Sequence, residues 1–153
     1  MLRISRLTDY ATLILARLGD GGLASAADIA LRTRIGLPTV SKLLKQLQRA
    51  GLVHSVRGAH GGYQLTRPAG LISAAQIIDA VEGPVALTEC AGGTGNCGIE
   101  STCLVGHGWQ RISRAIRRAL SDVSLDELAG RDVPAAVFDF SRAGLSTRPP
   151  ARG

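Results

Sequence analysis

The sequence predicts a mainly α-helical chain with a small β-hairpin, built as a winged helix-turn-helix followed by a long C-terminal dimerisation helix. Three observations carry this. Apolar residues recur at spacings of three and four through most of the first 50 positions. Two short alternating segments then flank a glycine turn, directly after a helix with a polar and basic outer face. Helical spacing finally resumes beyond a glycine-rich stretch that holds all three cysteines of the chain.

The first helix is read from Leu7, Tyr10, Ala11, Ile14, Leu15 and Leu18, which share one face. Asp20-Gly21-Gly22 ends it. Ser25, three residues before Asp28, has the form of an N-cap with an acidic N3 residue and opens a second helix from Ala26 to about Thr33. Ile35-Gly36-Leu37 is expected to turn tightly. Pro38 suits the first turn of a third helix, where a missing N–H costs nothing. Val40, Leu43, Leu44 and Leu47 supply its core face, and Gly51 is placed to terminate it. The opposite face shows Thr39, Ser41, Lys42, Lys45, Gln46 and Arg49, side chains of the kinds that meet bases and phosphates.

A solvated helix has the same polarity, so the outer face alone does not decide its role. The segment after Gly51 does. Leu52 to Val56 and Tyr63 to Thr66 read as two strands joined by Arg57-Gly58-Ala59-His60-Gly61-Gly62, with Pro68 as the stop. This hairpin places Arg57 and His60 at a tip suited to a phosphate or a minor groove. Residues 1–68 carry ten Lys and Arg against three acids, whereas residues 69–153 carry eight against nine. The basic half points to a polyanion, with double-stranded DNA the first expectation.

Ser73 and Gln76 form another capping box, ahead of a helix holding Ala74, Ile77, Ile78 and Val81 that Gly83-Pro84 breaks. Cys90, Cys97 and Cys103 come next, among Gly92, Gly93, Gly95 and Gly98. Three thiols cannot all pair internally, and glycine lets a loop close tightly round a metal centre. By spacing alone, a zinc site with three cysteines and a histidine is as good a reading as an iron–sulfur cluster. Trp109, Ile112, Ile116, Ala119 and Val123 then form a heptad-like seam, with Arg111, Arg114, Arg117 and Arg118 off it. The dimer reading of this helix is preferred to an internal core helix, since helix-turn-helix proteins bind palindromic sites as symmetric dimers. Ser124-Leu125-Asp126-Glu127 caps a further short turn. The Pro- and Arg-rich tail from about Ala143 has little to bury and is expected to be disordered. The resulting division is a DNA-binding domain over 1–83, a cysteine loop over 84–106, a dimerisation helix and short turn over 107–130, and a flexible tail over 131–153.

The chain resembles the Rrf-type winged-helix transcription regulators, a family that includes IscR-like, NsrR-like and SUF-operon regulators. The resemblance lies in SRLTDYATLILARL, IGLPTVSKLLKQLQRAGLV, VRGAHGGYQLTRP, LISAAQIIDAVEGPV, the three-cysteine loop and HGWQRISRAIRRALSDVSLDEL, and it covers about residues 1–130. The opening segment and the WQRI…AIRRAL helix look most like the SUF-operon branch. The resemblance implies that Cys90, Cys97 and Cys103 hold an iron–sulfur cluster, with [2Fe–2S] preferred to [4Fe–4S]. In IscR-like members a histidine three positions after the last cysteine is the fourth ligand. Here His107 lies four after Cys103, and the first cysteine gap is also one residue longer than in some relatives. NsrR-like members use an acid in the first helix, given across the dimer, to which Asp9 corresponds. Glu100 is an acid inside the loop. His107 is placed ahead of Asp9 and Glu100.

The function this implies is a homodimeric DNA-binding repressor of iron–sulfur cluster assembly genes, controlled by its cluster. Pro38, Thr39, Ser41 and Lys42 are assigned to the major-groove face, Lys45 and Arg49 to phosphates, and Arg57 and His60 to the wing contact. The alternative is a regulator of the same fold that senses nitric oxide, or senses redox state through thiols or zinc. An enzyme is not expected, because no nucleophile–base pair or nucleotide-binding glycine motif is evident, and neither is a small-molecule substrate. No apolar run approaches the ~18 residues of a membrane span. The first 20 residues lack the form of a signal peptide, so the expected compartment is a reducing cytoplasm.

Overall fold

The computed structural model describes residues 3–84 and 106–131. In chain order these form α1 (Arg6–Gly21), α2 (Ala26–Thr33), α3 (Leu37–Arg49), β1 (Val53–Val56), β2 (Gly62–Leu65), a short 3₁₀ turn (Ala69–Leu71), α4 (Ala74–Glu82), α5 (Gly106–Asp122) and α6 (Leu125–Leu128). The architecture is mainly helical with one antiparallel hairpin, as the sequence predicts. The tail expected to be disordered lies outside the described residues.

Local chemistry fixes most of the helix starts. Ser25 Oγ accepts from the Asp28 N–H at 3.1 Å, while Asp28 Oδ2 accepts from the Ser25 N–H at 3.3 Å. The same reciprocal box joins Ser73 to Gln76 and Ser124 to Glu127. At the other ends, Gly22, Gly51 and Gly83 take positive φ and stop α1, α3 and α4. The turn before α3 is built differently from the sequence expectation. Arg34, not a residue of Ile35-Gly36-Leu37, takes the left-handed conformation (φ 59°), and Gly36 is the N-cap residue of α3 with φ −56°.

Val40, Leu43, Leu44 and Leu47 of α3 are fully buried with Ala11, Ile14 and Leu15 of α1, Ile29 of α2 and Ile77 of α4. Burying each leucine contributes about 1.5–3 kcal/mol. Leu125 of α6 lies in the same core, so the chain beyond α5 returns to close it. On α1, Leu7 is more than a third exposed and Tyr10 only half-buried, whereas Thr8 is buried.

The hairpin pairs Val53 with Leu65, His54 with Gln64, Ser55 with Tyr63 and Val56 with Gly62. It is also stitched to the α1–α2 connection. The Ala24 N–H donates to the Tyr63 carbonyl at 3.0 Å, and the Tyr63 N–H to the Ala24 carbonyl at 2.8 Å. This close approach explains Gly61-Gly62. A Cβ on Gly62 would stand 2.6 Å from the Ala24 carbonyl oxygen, and one on Gly61 2.4 Å from that of Val56.

Candidate nucleic-acid interface and metal centre

The candidate DNA face begins at α3. Pro38, Lys42, Lys45 and Arg49 are exposed along one stripe of the helix, and Thr39 and Ser41 flank it half-buried. The stripe follows from the core: with Val40, Leu43, Leu44 and Leu47 turned inward, the positions between them face out. Thr39 donates its N–H to the Gly36 carbonyl at 3.0 Å, so the backbone satisfies itself there without the hydroxyl.

The wing is tied to this helix. Gln48 Nε2 donates to Ser55 Oγ at 3.4 Å, and Thr66 Oγ1 donates to the Gly51 carbonyl at 2.7 Å. Across the hairpin, His54 and Gln64 are hydrogen-bonded at 2.6 Å. These links, with the Ala24–Tyr63 bridge, hold the exposed tip residues Arg57 and His60 in a set relation to α3. The tip closes through a Gly61 N–H to Gly58 carbonyl bond of 3.0 Å, with Gly58 at φ +127°. Sequence reasoning finds the stripe and the tip but misses Gln48, Ser55 and Thr66. No local pattern marks them, because each acts on a partner 7 to 15 residues away.

The candidate metal ligands divide between elements. Asp9 is exposed on the first turn of α1, at a cleft of about 570 Å³ lined also by Leu13, Arg17, Asp20, Leu128 and Arg131. Arg131 closes one side, donating to Asp20 at 2.7 Å and Asp126 at 3.2 Å. His107 is exposed on the first turn of α5. Cys90, Cys97, Cys103 and Glu100 lie outside the described residues. Among the described residues, no three His, Cys, Asp or Glu side chains converge on one point.

α5 packs on α4, where the Arg117 guanidinium grips the Asp79 carboxylate at 3.0 and 2.5 Å. That pair raises the Arg117 pKa through the hydrogen bond and charge of Asp79. Of the expected seam, Trp109 is 43% exposed, and Ile112, Ile116 and Ala119 are less exposed than Trp109. The most buried positions of α5 are Ser113 and Ala115. Val123 lies just past the end of the helix, and its carbonyl accepts the Ala74 N–H at 2.9 Å.

A family model described as Rrf2, iron-dependent transcriptional regulator, matches residues 4–131. The chain belongs to the Rrf2 family. It is 41% identical over 107 residues to the HTH-type transcriptional regulator IscR of Xenorhabdus nematophila, covering 70% of this chain and 65% of that protein. Its fold is similar to the solved structure of CymR, the global cysteine regulator of B. subtilis, with a TM-score of 0.65 and 32% identity over 87% of this chain and all of that one. It is also similar to T. potens IscR, with a TM-score of 0.63 and 26% identity, covering 89% of this chain and 92% of the other. As an Rrf2 protein, the chain is a winged helix-turn-helix DNA-binding transcription regulator and not an enzyme. No described helix is long and apolar enough to cross a membrane.

Proposed function

We propose that this Rrf2 protein is a cytoplasmic, homodimeric repressor of iron–sulfur cluster assembly genes, of the SUF-operon type, whose DNA affinity depends on an iron–sulfur cluster. The observation that carries the reading is the placement of the only three cysteines of the chain, Cys90, Cys97 and Cys103, in the connection between α4 and α5. The donor set suits the group: thiolates are soft ligands fit for iron–sulfur centres, and a nitrogen or oxygen donor completes such a site. His107 is the fourth ligand of first choice, since it opens α5 directly after the cysteines. Asp9 and Glu100 are the alternatives. A bound [2Fe–2S] cluster, preferred to [4Fe–4S], supplies sensitivity to iron supply and oxidants.

The protein's own residues do the rest. Thr39, Ser41 and Lys42 meet base edges in the major groove, beside Pro38 at the start of α3. Lys45 and Arg49 neutralise phosphates. Arg57 and His60 reach the flanking minor groove from the wing tip. A second copy covers the seam of Trp109, Ile112, Ile116 and Ala119, and so sets the distance between two α3 helices on a palindromic promoter site. The chain then divides into a DNA-binding domain over 1–83, a cysteine loop over 84–106, a dimerisation helix and short turn over 107–130 and a flexible tail over 131–153.

The test is iron and sulfide content and visible absorption of protein purified without oxygen, with Cys97→Ala beside it. A brown wild type holding iron and sulfide, with a colourless variant, supports the cluster. A colourless, iron-free wild type moves the reading to zinc or thiol sensing on the same fold.

A further inference from the structure

We propose that Glu82 is the positioning residue that carries the state of the cysteine segment into the DNA-binding helices. The proposal rests on the reading of that segment as a sensor. Glu82 is the last residue of α4, and the chain runs from it through Gly83-Pro84 into the cysteines. Its carboxylate does not point along its own helix. Oε1 accepts the backbone N–H of Ser5 at 3.0 Å and, in a short bond, the hydroxyl of Thr8. One side chain thus joins positions 77 and 74 residues apart.

The receiving end is the first turn of α1. Ser5 caps that helix itself, its Oγ accepting the Thr8 N–H at 3.3 Å. α1 therefore does not need Glu82 in order to form. What Glu82 adds is a fixed relation between the end of α4 and the start of α1, where the helix dipole favours an anion. Thr8 is 3% exposed, and Asp9 is the next residue. The hydroxyl of Thr8 and the N–H of Ser5 hold the Glu82 carboxyl below the usual range, so the clamp is charged at neutral pH.

α4 is well placed to pass on a displacement. It packs on α1, α3 and α5 together, and Asp79 binds it to Arg117 of α5. Its buried face of Ala74, Ala75, Ile77 and Ile78 leaves little slack, because close-packed interiors move as units. When the cysteine segment pulls on the end of α4, the Glu82 clamp turns that pull into a shift of α1 and, through α4, of α3. Without the clamp the last turn of α4 shifts without drawing the first turn of α1 with it.

The experiment uses the full chain as wild type, Glu82→Ala, Glu82→Gln and Thr8→Val. Affinity for a DNA duplex selected in vitro for binding is measured at fixed salt, on protein purified without oxygen and on the same protein after an iron chelator. Amide exchange of peptides spanning residues 3–12 is followed in both states. In the wild type the two states are expected to differ about tenfold in affinity, within the usual range of coupling between sites, and exchange in the first turn of α1 is expected to slow with iron present. Glu82→Ala and Thr8→Val should shrink the ratio to about threefold or less, leave chelated-state affinity unchanged and abolish the exchange difference. Glu82→Gln, which keeps an acceptor oxygen, should restore most of the ratio. The proposal is overturned if Glu82→Ala keeps the wild-type ratio, or loses affinity equally in both states. A wild type with no difference between states removes the sensor reading and this proposal with it. An intact wild-type ratio with no effect of Glu82→Ala removes this proposal alone.

Discussion

Gly62→Ala isolates what the hairpin does. Gly62 has no positive φ, so alanine fits its backbone, and the cost comes from contact alone. The added Cβ would meet the Ala24 carbonyl oxygen at 2.6 Å and the Ser25 nitrogen at 3.1 Å, both backbone atoms that cannot swing aside. Relief requires opening the Ala24–Tyr63 bridge, with its two hydrogen bonds of 3.0 and 2.8 Å. Each such bond is worth about 0.5–1.5 kcal/mol net, and the loss of unfolded-state freedom returns about 0.4–1 kcal/mol. The expected net loss is therefore about 1–2 kcal/mol, or roughly 2–8 °C in Tm for a chain of this size. Gly22→Ala is the matched control: at φ +71° with nothing within 4 Å, it costs a similar amount through backbone strain and adds no contact to the hairpin. Urea unfolding and DNA titration over a salt series read both variants. Gly62→Ala should flatten the salt dependence by about one released counterion, as the Arg57 charge leaves the groove, while Gly22→Ala should keep the wild-type slope. Wild-type stability in Gly62→Ala, or the same loss of slope in both variants, would refute the reasoning.

Other outcomes rest on the same structure. Lys45→Ala and Arg57→Ala should each lower the log–log salt slope of DNA binding by about one, with thermal stability unchanged, and fluorescence anisotropy across a salt series reads this. Leu44→Ala, at a fully buried position, should cost about 2–5 kcal/mol in urea unfolding. The carboxyls of Asp28, Glu82 and Glu127 are held below their ordinary range by hydrogen bonds from Ser25, from Thr8 and Ser5, and from Ser124. A depressed folded pKa gives stability that is present above the unfolded value and lost as pH falls through the folded one. Tm should therefore hold from neutral pH to about pH 4.5 and decline below it, less steeply in Glu82→Gln and Glu127→Gln.

The parts of the fold that are legible in the sequence are those whose cause is local. A capping box such as Ser73–Gln76 spans three residues, and both partners appear in the string. The inward face of α3 follows from the spacing of Val40, Leu43, Leu44 and Leu47 alone. The turn before α3 is legible in position but not in residue, because Arg34 adopts a left-handed backbone that composition assigns to glycine. The long-range features are not legible. Nothing near Tyr63 announces Ala24, nothing near Glu82 announces Ser5 and Thr8, and the short α6 gives no hint that Leu125 completes the core of α1. The candidate DNA face is readable because exposure on α3 is the complement of its core face. The links that orient the wing are not, since Gln48 and Thr66 look like ordinary surface polar residues until the hairpin folds against them. Four of the five expected seam positions lie on α5 and Val123 falls just past its end, but the chain buries Ser113 and Ala115 most deeply on that helix and leaves Trp109 exposed.

Control of DNA binding by the cysteine segment is tested most directly by the affinity of protein purified without oxygen for a selected DNA duplex, compared with Cys97→Ala on the same duplex at the same salt. The wild type is expected to bind about tenfold more tightly or better, with both proteins folded by circular dichroism. Equal affinity of the two would contradict such control.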